Sequence, residues 1–170
     1  MNTDLFGDHT WPFHAYIDGA DIVVEDIVIT CFGGAYDPQD DGRTASGVNT
    51  KRNPNIAAVS LPMDIGACSP HTQGSPLPRI PWGTPVAVTI NGQTVKFGSG
   101  VIDIGPGKQA SKPGEPHALD LTPGAAAVFA PGVPFRKLAS CFEERGSFRI
   151  IGGAKYYKPV EIEHKTIGGD

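Results

Sequence analysis

The chain has 170 residues and a formal charge of −4, from 14 basic and 18 acidic side chains. That length suits one domain with a terminal arm, and the acidic balance lacks the basic footprint by which nucleic-acid binders displace counterions from phosphates. Gly 22 and Pro 16, beside 39% hydrophobic residues, point to a turn-rich all-β core with one or two short helices and exclude a helical bundle or a disordered chain.

The opening stretch, MNTDLFGDHTWPF, has neither the basic flank nor the apolar core of a signal peptide, and no run approaches the roughly 18 apolar residues of a membrane span. The expectation is a chain made without a secretion signal, cytoplasmic at synthesis, with no membrane insertion. Residues 1–20 mix aromatics with turn formers without a period and read as a surface arm on a domain formed by residues 21–170. DIVVEDIVITCF (21–32), rich in Val and Ile, reads as a strand pair or one kinked strand. GGAYDPQDDGRTASG (33–47) is a loop, NIAAVSLP (55–62) a short apolar strand, and residues 64–79, punctuated by Pro and Gly, a surface insertion.

The clearest local signal is TPVAVTINGQTVKFGSG. Its Asn91-Gly92 pair supplies the two left-handed residues of a type I′ turn between strands 86–90 and 94–97. VIDIG (101–105) and HALDL (117–121) are further strands. Thr122 then fits an N-cap and Pro123 the first position of a short helix over 124–130. SFRIIGG and KYYKPVEIEH supply one or two closing strands.

Asp103 and Asp120 each interrupt a strongly apolar strand just before a turn. A carboxylate there is either exposed at the strand end or buried with a partner. In the plainer reading Asp120 caps the next helix or accepts from loop amides. In the functional reading the two acids face one cleft, where burial and a like-charged neighbour let one of them hold a proton and donate it. His117 would add a third ligand for a metal, but a lone loop histidine is more often a surface residue, so neither metal nor cofactor is expected. The other four histidines are scattered, and no G-x-S-x-G, HExxH or Walker-type motif occurs. Cys31, Cys68 and Cys141 show no CxxC spacing and read as free thiols, with Cys68–Cys141 the first pairing to test. Phe32 and Trp82 are candidate stacking platforms for sugars, although an aromatic beside Gly or Pro is more often core.

Taken in order, ITCFGG, TASG, IAAVSLP, IPWGTPVAV, VIDIGPG and HALDL, spanning roughly residues 27–129, resemble the double-psi β-barrel family. That family includes rare lipoprotein A-like proteins, three-aspartate domains, the catalytic barrel of membrane-bound lytic transglycosylase A and, more distantly, expansins and barrel endoglucanases. The resemblance implies a six-stranded double-psi barrel. It places the family's second and third aspartates at Asp103 and Asp120; the first falls on Ser60, a departure. In the lytic transglycosylases the last of these is the catalytic acid. The resemblance therefore implies peptidoglycan glycan-strand cleavage, with Asp120 as acid and base and Asp103 orienting it. Thr44, Ser46, Phe32, Trp82 and His117 would contact a peptidoglycan or other polysaccharide substrate. Since that substrate lies outside the cytoplasm, a virion component such as a phage tail or baseplate protein is one placement. The rivals are a carbohydrate-binding module without a working acid and an assembly protein that reuses the barrel and contacts partners through the N-terminal arm.

Overall fold

The computed structural model describes residues 14–32, 41–61, 80–105 and 117–156. Eight strands form one sheet: β1 (His14–Asp18), β2 (Asp21–Cys31), β3 (Val59–Leu61), β4 (Val86–Ile90), β5 (Gln93–Phe97), β6 (Val101–Ile104), β7 (His117–Leu121) and β8 (Glu143–Ile150). Two short helices, α1 (Pro123–Phe129) and α2 (Phe135–Cys141), and a 3-10 turn at Gly153–Tyr156 complete the described elements. The all-β reading with one or two short helices therefore holds at the level of class.

Asp21–Cys31 is one kinked strand. Beyond Val24 the ladder to β8 gains one residue on β2, because Val24 faces Phe148 whereas Ile27 faces Gly146. Asp26 takes up the bulge at φ 55°. The first half of β2 pairs antiparallel with β1 on the edge where its second half pairs parallel with β7, and β8 runs along the opposite edge. The full order is β5-β4-β8-β2-β7-β3-β6, with β1 beside β2. Beyond the named strands, Val101 N–H donates to Thr84 O (3.1 Å) and Gly83 N–H to Val101 O (2.9 Å). These bonds curl the sheet until the start of β6 meets the chain entering β4.

Ile22, Val24, Ile27, Ile29, Leu61, Val86, Leu119, Leu121 and Ile150 are fully buried on the inner face, around Phe148. Burying each large aliphatic side chain contributes roughly 1.5–3 kcal/mol, which is what holds so short-stranded a sheet together. Gly146 is required where β8 crosses β4, since a Cβ there would stand 2.3 Å from Thr89 O.

Three expectations change. Residues 14–18, read as part of a surface arm, are a strand of the sheet with Ala15 and Tyr16 buried; their aromatics hid the alternation. The closing strand begins at Glu143, ahead of SFRIIGG. Lys155 and Tyr156, the first residues of KYYKPVEIEH, belong to a 3-10 turn over Gly153–Tyr156, in which Ala154 N–H donates to Ala20 O. Residues 1–13, the insertion at 64–79 with Cys68, and 157–170 lie outside the described residues.

The hairpin is as expected: Asn91 has φ 49° and Gly92 φ 79°, joining β4 to β5 in the two-residue register Ile90 opposite Gln93. Replacing both by Val should cost about 2–4 kcal/mol, since left-handed dihedrals cost an L-residue roughly 1–2 kcal/mol each. Urea unfolding of the double variant measures this, and wild-type stability would mean the turn tolerates branched side chains.

Candidate active site

Strand register builds the site. β7 runs parallel to β2 and antiparallel to β3, so Asp120 has Thr30 as its partner on one side and Ser60 on the other. β6 then places Asp103 opposite Ser60. Thr30, Asp120, Ser60 and Asp103 thus form one polar row across four adjacent strands. Strands are spaced about 4.8 Å apart, so the two aspartates stand roughly 10 Å apart at Cα with Ser60 between them.

Each member of the row has a different task. Thr30 Oγ1 donates to Asp120 Oδ1, and Asp120 is half-buried. Ser60, 3% exposed, donates to Gly105 O at 2.7 Å. Asp103 Oδ1 accepts from Ala45 N–H and Ile104 N–H, both at 2.9 Å. Asp103 therefore anchors the TASG turn, helped by Ser46 N–H donating to Ile102 O at 3.1 Å. The register sets Ser60 between the two carboxylates, so they are not on neighbouring strands.

Thr44 and Ser46 lie in that turn. Their hydroxyls bond each other at 3.0 Å, and Thr44 also donates to Val48 O at 2.6 Å. Phe32 follows β2, half-buried, with its N–H on Leu121 O at 3.0 Å, one residue past Asp120. Trp82 is half-buried against the hydrophobic core in the turn before β4. His117 opens β7 opposite Val28; its side chain is not among those described.

Asp120 does not cap the helix. Thr122 does, accepting from Ala125 N–H (3.3 Å) and Ala58 N–H (3.2 Å) while donating to Ile56 O. This hydroxyl ties the end of β7 to the segment entering β3, which fixes Asp120 from the C-terminal side.

Cys31 lies beside the row. Burial, and then the negative charge of Asp120, push its thiol up to about 12. It stays protonated at neutral pH and is a poor nucleophile. Among the described residues no group of three or more His, Cys, Asp or Glu could hold a metal ion, and no helix is long and apolar enough to cross a membrane. Thr30 is not singled out by the sequence; it becomes visible only once β2 and β7 are known to run parallel.

No family model matches the chain, and no curated protein matches it. Among solved structures, the Streptomyces papain inhibitor (SPI) is similar at 19% identity, covering 83% of this chain and 97% of that chain with a TM-score of 0.43. At that score the likeness carries no argument about function.

Two outcomes test the geometry. In a Cys68→Ser background, iodoacetamide at pH 8 should label exposed Cys141 well before Cys31, read by peptide mass spectrometry; equal rates would mean that the Cys31 thiol is neither buried nor disfavoured as thiolate. Asp103→Ala should destabilise by about 0.5–1.5 kcal/mol, the net worth of a hydrogen bond whose donor water can reach, and should speed exchange of the Ala45 amide. Asp103→Asn, which keeps an acceptor oxygen, should be milder on both counts.

Proposed function

We propose that this protein cleaves peptidoglycan glycan strands by a lytic transglycosylase-type, single-acid mechanism on a six-stranded double-psi barrel. The ring of strands β4, β8, β2, β7, β3 and β6, with Val101 bonded back to Gly83 and Thr84, supports the barrel. So does the placing of two parallel pairs, β2 with β7 and β3 with β6, among antiparallel ones.

The observation that carries the reaction is the half-buried Asp120, held at one oxygen by Thr30 and flanked by a serine rather than by a second acid. Most glycosidases use two carboxylates, one to protonate the leaving oxygen and one to attack or activate water. A transglycosylase needs one. Protonated Asp120 gives its proton to the oxygen linking N-acetylmuramic acid to N-acetylglucosamine, and the bond from the muramic C1 to that oxygen breaks. The resulting carboxylate takes the proton of the muramic 6-hydroxyl as O6 bonds to C1. The products are a 1,6-anhydro end and a free N-acetylglucosamine hydroxyl, and the acid is restored without water. In this reading Asp103 holds the TASG turn beside the acid, where Thr44 and Ser46 line the sugar's path. Phe32, Trp82 and His117 are its candidate flanking contacts.

A second reading keeps the same row as a carbohydrate-binding face without turnover, and Ser60 in place of an acid favours it. Asp120→Asn separates the two. Release of 1,6-anhydro-muropeptides from purified sacculi, read by liquid chromatography and mass spectrometry, should fall to background while the melting temperature and sacculus pull-down are retained. Cleavage by Asp120→Asn would remove the mechanism. A wild type that binds sacculi without cleaving them would favour the binding face.

A further inference from the structure

Ser60 is in register with both aspartates yet is 3% exposed, so its hydroxyl cannot meet a ligand directly. It donates instead to Gly105 O at 2.7 Å, and Gly105 N–H donates to Leu61 O at 2.9 Å. Both polar backbone groups of Gly105 are thus tied to β3. Gly105 has φ 155°, and a Cβ built on it would lie 3.2 Å from Ser60 Oγ and 4.0 Å from Asp120 Oδ2. The bare Cα of Gly105 therefore faces the Ser60 hydroxyl, with Asp120 Oδ2, the oxygen other than the one Thr30 holds, next to it.

We propose that Ser60 is a positioning residue whose buried hydroxyl latches the Gly105 peptide beside Asp120 Oδ2, where a side chain at position 105 would crowd both groups. The inference rests on Asp120 being the ligand-facing acid. It gives Ser60 a task that a carboxylate at the same position could not perform, because only a donor can hold a carbonyl.

Ser60→Ala, Ser60→Thr and Gly105→Ala test it on purified sacculi and on soluble glycan fragments released from them, with folding checked by circular dichroism. Ser60→Ala should raise apparent KM several-fold and leave kcat and its pH limbs in place, since no charge is altered. Ser60→Thr keeps the donor and should restore the wild-type KM. Gly105→Ala should weaken fragment binding further, and the two Ser60 variants carry the test if it does not fold. In proton exchange followed by NMR, the Gly105 amide should exchange several-fold faster in Ser60→Ala and at the wild-type rate in Ser60→Thr. A folded Ser60→Ala with unchanged KM and unchanged Gly105 exchange overturns the latch while leaving the cleavage reading intact. A wild type that neither cleaves sacculi nor binds fragments overturns the cleavage reading and any effect of Ser60 on a ligand, and Gly105 exchange then still decides the latch.

Discussion

The direction of β7 decides this molecule. Running parallel to β2 and antiparallel to β3, it sets Asp120 between a threonine and a serine within a sheet that otherwise buries aliphatic side chains. A carboxylate withdrawn from water is tolerated only with partners, and the Thr30 hydroxyl supplies one. With a different neighbour order the same residues would be scattered: Thr30, Ser60 and Asp103 reach Asp120's neighbourhood from three separate stretches of chain. The TASG turn and Gly105 are fastened to the same row, the first through Asp103 and the second through Ser60.

The row also divides charge and neutrality sharply. Asp103 Oδ1 is committed to backbone amides, and the Cys31 thiol is held neutral by burial and by Asp120. Thr122, two residues beyond Asp120, is fully buried, and its hydroxyl serves as donor and acceptor at once, joining the start of α1 to Ile56 and Ala58. Fixed strand register on both sides and this junction beyond hold the backbone of Asp120 in place.

Elements governed by neighbours in the chain were legible from sequence. The Asn91-Gly92 turn needs only two left-handed residues, the Thr122-Pro123 helix start only a hydroxyl and a ring, and both stand as read. Asp103 and Asp120 could be found because a charge inside an apolar strand is conspicuous. Their spacing could not, because it depends on which strand lies between them, and no local pattern records that. The same limit hid β1: His14–Asp18 pairs through its backbone with β2, while its His, Tyr and Asp side chains blur the alternation. Helix α2 escaped placement because Pro134 stands at its N-cap position without a side-chain capping bond, so the usual hydroxyl or carboxylate signal is absent.

The bulge at Glu25 and Asp26 sets the phase of β2. Before it the fully buried positions are even-numbered, Ile22 and Val24; after it they are odd, Ile27 and Ile29. The extra residue works as a half-period shift that lets two short hydrophobic rhythms share one inner face, and Thr30, next to Ile29, falls on the opposite face. Without the bulge, a regular ladder through this sequence would put the two rhythms out of step. Either β1 would be asked to dock on the wrong side, or isoleucine would come round to the position from which Thr30 now meets the acid. The irregularity of this strand, placed to one residue, is thus as much a part of the candidate site as the aspartate itself.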